Sequence, residues 1–270
     1  MFGALKFDEL SDFVSKLNEK ENEYLKSGEE LFNSQKSSFD FALDTFYISQ
    51  NVIDGQKLMK KWFPDVNASV FLSHSHKDIN EVYKFAGFLY DEFKIVSFID
   101  AAVWGYADDL LKRVDNNECL DEKTGLYDYE SRNITSSNIY LMLNNALYNM
   151  LDHVECVIFL STPNSMEKIS DEVEEKKTSS PWIFSELNMI QKIRREDPKR
   201  PDNIAKSIKH YALAESVKVI YDVKEQLSSL GELTIQDLED MARNRPDDSS
   251  KSDYDKQCLD VLYKLKGWYK

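Results

Sequence analysis

Short apolar runs that alternate with amphipathic helical stretches are the feature of this sequence that most restricts its fold. The runs lie at residues 69–72, 95–99, 154–160 and 217–221, and the stretches between them include helical patterns at 79–93, 136–151 and 182–195. Alternating strands and helices form βαβ units, whose right-handed crossovers place helices on both faces of a parallel sheet. The sequence therefore predicts an α/β fold with a parallel sheet covered on both faces.

The beginning of the chain has a different pattern. Apolar residues such as Phe7 and Phe13 recur at helical spacing there, and no strand pattern is evident. The residue before Pro64 is biased away from helix, which suggests a boundary close to it. We expect a helical N-terminal segment at residues 1–65 and an α/β domain at residues 66–270.

Composition excludes several classes of protein. The formal net charge of −14 and the sequence pI of about 4.8 argue against general nucleic-acid binding, which needs a basic face. No run of about 18 apolar residues is present, so we expect no membrane association. Cys119, Cys156 and Cys258 lie far apart and form no C-x-x-C pair. The start of the chain does not look like a signal peptide, and we expect a cytoplasmic protein with reduced thiols.

Polar residues follow three of the predicted strands. Ser73, Asp100 and Ser161 come directly after the apolar parts of these strands. Ligands of open parallel sheets bind beyond the carboxyl ends of the strands, so these three residues are candidate binding residues. Neither G-x-G-x-x-G nor a P-loop occurs in the sequence, which argues against a dinucleotide-binding Rossmann domain and a P-loop NTPase.

A W-x-x-x-E pattern opens the helix predicted at residues 182–195. Trp182 and Glu186 are four residues apart and therefore lie on one helix face. A carboxylate held beside a large aromatic side chain suits chemistry on a sugar-bearing ligand. The alternative is a packed tryptophan with an exposed glutamate.

The loop after the first predicted strand is rich in polar side chains. His74 and His76 form an H-x-H pair, but no third histidine or cysteine stands near them, so we expect no metal site. Hydroxyls, imidazoles and backbone N–H groups in this loop could bind a ribose or phosphates. Asp78 at its end is interpreted as a cap of the next helix.

Four motifs together resemble a known family. They are VFLSHSHKD at residues 70–78, FID at 98–100, VIFLS at 157–161 and SPWIFSEL at 180–187. In this order they resemble the strands and the glutamate motif of a Toll/interleukin-1 receptor (TIR) domain, over residues 68–195. The stretch Val103-Trp104-Gly105, shortly after the FID motif, also resembles bacterial TIR proteins of Thoeris-type anti-phage systems.

The resemblance implies a flavodoxin-like sheet and an enzyme that cleaves NAD⁺ as its substrate, without a further cofactor. Glu186 matches the catalytic glutamate of NAD-cleaving TIR domains. Ser73, His74, Asp100 and Ser161 would then contact the substrate or shape its site, Trp182 would form a wall, and Trp104 would stack on adenine, stack on a neighbouring chain or only pack. Self-association through TIR–TIR contacts and a separate effector that responds to an ADP-ribose-derived product are the implied partners.

The sequence departs from the family pattern in two places. Insertions are predicted near residues 101–135 and 165–180, and both would flank the cleft. Two alternatives to the NAD-cleaving enzyme remain. One is a non-catalytic TIR adaptor that acts through TIR–TIR contacts, and the other is a nucleoside deoxyribosyltransferase-like enzyme.

Overall fold

A computed structural model describes residues 1–36, 46–49, 52–62, 66–166, 177–198, 221–247 and 249–268. The strands are β1 (Gly3–Phe7), β2 (Tyr47–Ser49), β3 (Val52–Ile53), β4 (Val70–Ser73), β5 (Ser97–Ile99), β6 (Leu120–Asp121), β7 (Leu126–Tyr127), β8 (Cys156–Leu160), β9 (Lys177–Thr178), β10 (Tyr221–Asp222) and β11 (Gly231–Leu233). The helices are α1 (Leu10–Ser15), α2 (Glu21–Lys36), α3 (Gly55–Trp62), α4 (Ile79–Phe93), α5 (Ala101–Glu118), α6 (Tyr129–His153), α7 (Pro181–Lys192), α8 (Lys224–Ser228), α9 (Ile235–Arg243) and α10 (Tyr254–Leu265).

Five of the described strands form a parallel sheet in the order β11-β1-β8-β4-β5. The predicted α/β class with a parallel sheet is therefore confirmed. In chain order these strands read 5-1-4-2-3, whereas a flavodoxin-like sheet reads 2-1-3-4-5. Only β5, β4 and β8, numbered without β1, have the 2-1-3 order of such a sheet. β1 and β11 occupy the fourth and fifth positions. The strand order reverses between β4 and β8, which is where ligands of such sheets bind.

Helices cover both faces of the sheet. Phe7 of β1 stacks on Phe85 of α4, with ring centroids 5.2 Å apart. Leu5 pairs with Ile158, and Ser73 of β4 pairs with Phe159, the next residue of β8. Because neighbouring residues of a strand point to opposite faces, Leu5 and Phe7 face α4 while Ser73 faces the opposite side. There the Ser73 side chain contacts α7. The predicted cover on both faces is confirmed.

The prediction of a helical N-terminal segment is wrong at residues 3–7, because β1 lies between β8 and β11 in the sheet. A strand buried on both faces reads as a short apolar run, which periodicity cannot distinguish from the start of a helix. Phe7 ends this strand and does not belong to the helix that follows it. Helix α1 itself agrees with the predicted helical pattern.

The last predicted strand, at residues 217–221, falls mostly outside the described residues. Tyr221 and Asp222 form β10, which pairs antiparallel with β9 and not with the main sheet. The fifth strand of the main sheet is instead β11, which pairs with β1.

Helices α2 and α4 approach each other closely through two glycines. A Cβ atom added to Gly28 would lie 1.9 Å from the carbonyl oxygen of Tyr83, and one added to Gly87 would lie 1.8 Å from that of Tyr24. Since no Cβ atom fits at either position, this helix pair requires glycine at both.

The chain forms two compact units. The first comprises residues 1–32, 67–100 and 151–270 and contains the parallel sheet, and the second comprises residues 33–66 and 101–150. The predicted insertion at residues 101–135 forms α5, the β6–β7 hairpin and the start of α6. Most of the insertion predicted at 165–180 lies outside the described residues. In the described parts of both units, no helix is long and apolar enough to cross a membrane.

Candidate active site

Glu186 lies on α7 and is completely buried, with 0% of its surface exposed. The helix begins at Pro181, and the side chain of Ser180 accepts a hydrogen bond from the backbone N–H of Ile183. About one and a half turns into the helix, Glu186 Oε2 accepts a hydrogen bond of 2.6 Å from Ser73 Oγ at the end of β4. The structure thus brings Ser73 and Glu186, two candidate site residues, into contact, and the alternative of an exposed glutamate is wrong.

His74 and Asp100 form a second buried pair at the ends of β4 and β5. His74 Nδ1 lies 2.8 Å from Asp100 Oδ1 and 3.0 Å from the carbonyl oxygen of Leu72. Because a carbonyl oxygen only accepts hydrogen bonds, Nδ1 carries a proton. Both side chains are buried, so their mutual attraction is weakly screened by water.

The carboxyl group of Glu186 is electrostatically coupled to this pair. Burial raises the pKa of Glu186 well above its usual value, and the negative charge of Asp100 and a hydrogen bond to Asp100 raise it further. The hydrogen bond from Ser73 opposes these effects. Burial lowers the pKa of His74, but the charge of Asp100 and the hydrogen bonds to Asp100 and Leu72 outweigh burial, so this pKa is raised. The cluster thus favours a protonated Glu186 beside a His74–Asp100 ion pair.

Two buried polar atoms of this cluster are not hydrogen-bonded to any described residue. They are Nε2 of His74 and Oε1 of Glu186. A buried polar atom without a partner costs free energy, and a polar ligand group can supply the missing bond. The cluster can therefore offer a donor on His74 and a carboxyl oxygen on Glu186 to a hydroxyl-bearing ligand.

A polar bridge links the loops that follow β4 and β8. Asp78 accepts hydrogen bonds of 2.5 Å from Thr162 Oγ1 and from Asn164 Nδ2. Asp78 occupies the N-cap position of α4, but its side chain makes no capping hydrogen bond. The capping interpretation is therefore wrong for the side chain. Sequence reasoning missed Thr162 and Asn164, although their place just after a buried strand was a usable signal.

The other predicted site residues have less defined roles. Ser161 is half-buried, and its backbone N–H donates to the carbonyl oxygen of Phe7 at 3.0 Å, which fits a strand-end turn. Trp182 lies one helical turn before Glu186 and is half-buried. The backbone of Trp104 lies in α5 of the second unit, while its side chain falls outside the described part of the structure. Within the described ranges, no three His, Cys, Asp or Glu residues form a group that could hold a metal ion.

Comparisons of this chain with protein-family models, curated proteins and solved structures found no match. The chemistry of the chain must therefore be inferred from the buried cluster of Ser73, His74, Asp100 and Glu186. Its two carboxyl groups have different environments, since one is ion-paired with an imidazole and the other favours the protonated form. A buried carboxyl group whose pKa is raised well above its usual value, beside a buried ion pair, is typical of catalytic sites.

Proposed function

We propose that this chain is a TIR-type NAD⁺ glycohydrolase or cyclase that breaks the bond between nicotinamide and ribose. The observation that carries the proposal is Glu186, which lies beyond the carboxyl end of β4, is fixed by Ser73 and has a carboxyl oxygen left for a ligand. The resemblance to Thoeris-type proteins extends the proposal to a cytoplasmic enzyme of anti-phage defence whose ADP-ribose-derived product signals to a separate effector.

The proposed reaction begins with cleavage of the glycosidic bond. Its electron pair leaves with the pyridinium nitrogen, so nicotinamide departs as a neutral molecule and positive charge develops on the ribose. An ionised Glu186 beside the ribose stabilises that charge, as carboxylates do in glycoside cleavage. Water or a nitrogen of the adenine ring then attacks the anomeric carbon, which yields ADP-ribose or a cyclic isomer.

Glu186 must lose its proton before it can act in this way. The cationic nicotinamide ring of bound NAD⁺ and the charge on the ribose both favour the carboxylate form, which opposes the effects of burial and of Asp100. His74, whose Nδ1 is held by Asp100, can donate from Nε2 to a substrate hydroxyl or phosphate oxygen. The proposed rate therefore rises with pH as Glu186 ionises in the complex.

Access to the site requires movement, because Glu186 is fully buried. We infer that the cleft opens at the point where the strand order reverses, between the loops after β4 and β8 that Asp78 and Thr162 join. An enzyme closed in this way is active only after a trigger or self-association shifts it to the open form.

The decisive assay measures nicotinamide release from NAD⁺ by the purified chain at several protein concentrations. Replacing Glu186 by alanine should reduce the rate by a factor of about 10² to 10³ or more. Glu225→Ala on the exposed surface of α8 is the matched control and should leave the rate unchanged. Equal rates for wild type and Glu186→Ala would contradict the role of this residue, and no release in any oligomeric state would contradict the enzyme.

Complete burial of Glu186 also favours a second candidate, a non-catalytic TIR adaptor. In that case the buried glutamate is part of the scaffold, and the chain acts only through contacts with other TIR domains. The same assay separates the two candidates. An adaptor shows no nicotinamide release, yet Glu186→Ala still lowers its stability by leaving Ser73 without its partner.

A further inference from the structure

We propose that the exposed side of helix α6 docks against the same helix of a second copy of this chain. This surface, called the uncharged face below, consists of Ile134, Asn138, Leu141, Asn145 and Tyr148. This surface shares no residue with the proposed NAD⁺ site, and its test measures mass and not activity, so the two proposals can fail separately.

The apolar members of the uncharged face are exposed and regularly spaced. Ile134 is 64% exposed, Leu141 62% and Tyr148 40%. Each is seven residues from the next, so on a helix they form a single stripe. On the other side of the helix Leu143 and Leu147 are buried. A seven-residue apolar repeat outside the buried side is the pattern with which one helix pairs with another.

The absence of charge on this surface indicates which partner fits. Residues 133–151 contain no Asp, Glu, Lys, Arg or His, although 30% of the whole chain is charged and the net charge is −14. Two copies of so acidic a chain repel each other wherever their charged surfaces meet. The uncharged face avoids this repulsion, and loss of charge together with exposed tyrosine is typical of the centre of an interface.

The residues of the uncharged face are also symmetric about its middle. Ile134 and Tyr148 lie seven residues on either side of Leu141. In an antiparallel pair with two-fold symmetry, Leu141 meets Leu141 of the second copy, and Ile134 meets Tyr148 of the second copy. The contact extends over about 21 Å of helix, which is small for an interface. The dimer is therefore weak and depends on protein concentration.

Sedimentation velocity over a concentration series tests this interface. The wild-type mass should rise from 31.5 kDa towards twice that value. Leu141→Glu should raise the dissociation constant at least about tenfold, because it places two charges in the contact. Leu126→Glu is the matched control, since Leu126 is 69% exposed but lies on the β6–β7 hairpin, and it should behave like wild type.

Crosslinking tests the antiparallel arrangement directly, and its result does not depend on whether the Leu141→Glu variant folds. Ile134→Cys protein mixed with Tyr148→Cys protein should form a crosslinked dimer with a short thiol-reactive reagent, while Leu126→Cys protein should not. The native cysteines are buried and serve as background in the wild type. A monomeric wild type at all concentrations, an unchanged dissociation constant for Leu141→Glu, or no crosslink in the mixture would overturn the proposal.

Discussion

Replacing Glu186 by glutamine should change how the stability of the fold depends on pH. Glutamine keeps the shape of the side chain and a partner for Ser73 Oγ, but it cannot ionise. In the wild type, burial and the charge of Asp100 raise the pKa of Glu186 above its ordinary value of 4.5. The folded state therefore holds this proton in a pH range where the unfolded chain has lost it.

The direction and size of the effect follow from proton linkage. Above pH 4.5 the folded wild type binds more protons than the unfolded chain, so its free energy of unfolding falls as pH rises towards the raised pKa. One proton corresponds to a slope of at most about 1.4 kcal/mol per pH unit. Below pH 4.5 the carboxyl group is protonated in both states, and this contribution no longer changes. His74 adds stability that is complete below pH 6.5, the ordinary pKa of histidine, and is lost as pH rises through its raised pKa. This second contribution is present in both proteins and largely cancels in their difference.

Urea unfolding at a series of pH values measures this difference. The stability of Glu186→Gln relative to wild type should increase with pH from about 4.5 upward and level off above the raised pKa. Glu225→Gln on exposed α8 is the matched control, and its difference from wild type should not increase in this way. Parallel stability curves for wild type and Glu186→Gln would refute the electrostatic account of the cluster.

Three further variants test separate parts of the structure. Gly87→Ala should destabilise the fold by about 1–3 kcal/mol in urea unfolding, because its Cβ atom would lie 1.8 Å from a backbone oxygen, whereas Gly55→Ala meets its nearest atom at 3.6 Å and should have little effect. If Gly87→Ala lost no more stability than Gly55→Ala, the close approach of α2 and α4 at Gly87 would be contradicted. Ser73→Ala should cost about 1–3 kcal/mol by leaving a carboxyl oxygen of Glu186 unsatisfied, and equal stability would show that this hydrogen bond is unimportant. Asp100→Asn should lower the pKa of His74 in an NMR titration, and an unchanged pKa would contradict the ion pair.

The sequence was sufficient to predict the part of the sheet that holds the site. Strands β4, β5 and β8 are short, buried runs, and each ends in polar residues, so the rule for carboxyl ends brought Ser73 and Asp100 together correctly. Helical spacing placed Trp182 and Glu186 on one face of α7. It could not show which of the two is buried, since burial depends on the sheet that packs against the helix.

The edge of the sheet could not be predicted in the same way. β11 has only three residues, Gly231, Glu232 and Leu233, and such a run is too short to show a period. β1 is preceded by no turn signal, and Phe7 continues the helical spacing of the residues after it. Pairing with β8 determines the conformation of β1, and this pairing joins residues about 150 positions apart, which no local pattern contains.

Stability and activity, measured on the same Glu186 variant, separate a catalytic glutamate from a structural one. Burying a carboxyl group with a raised pKa lowers stability at neutral pH, so a glutamine in its place should stabilise the fold while abolishing catalysis. A structural glutamate predicts the same change in stability, because its pKa is raised in the same way, but no nicotinamide release by either protein. A glutamine variant that is more stable and does not release nicotinamide, beside a wild type that does, identifies Glu186 as a group that the fold holds at the expense of its own stability.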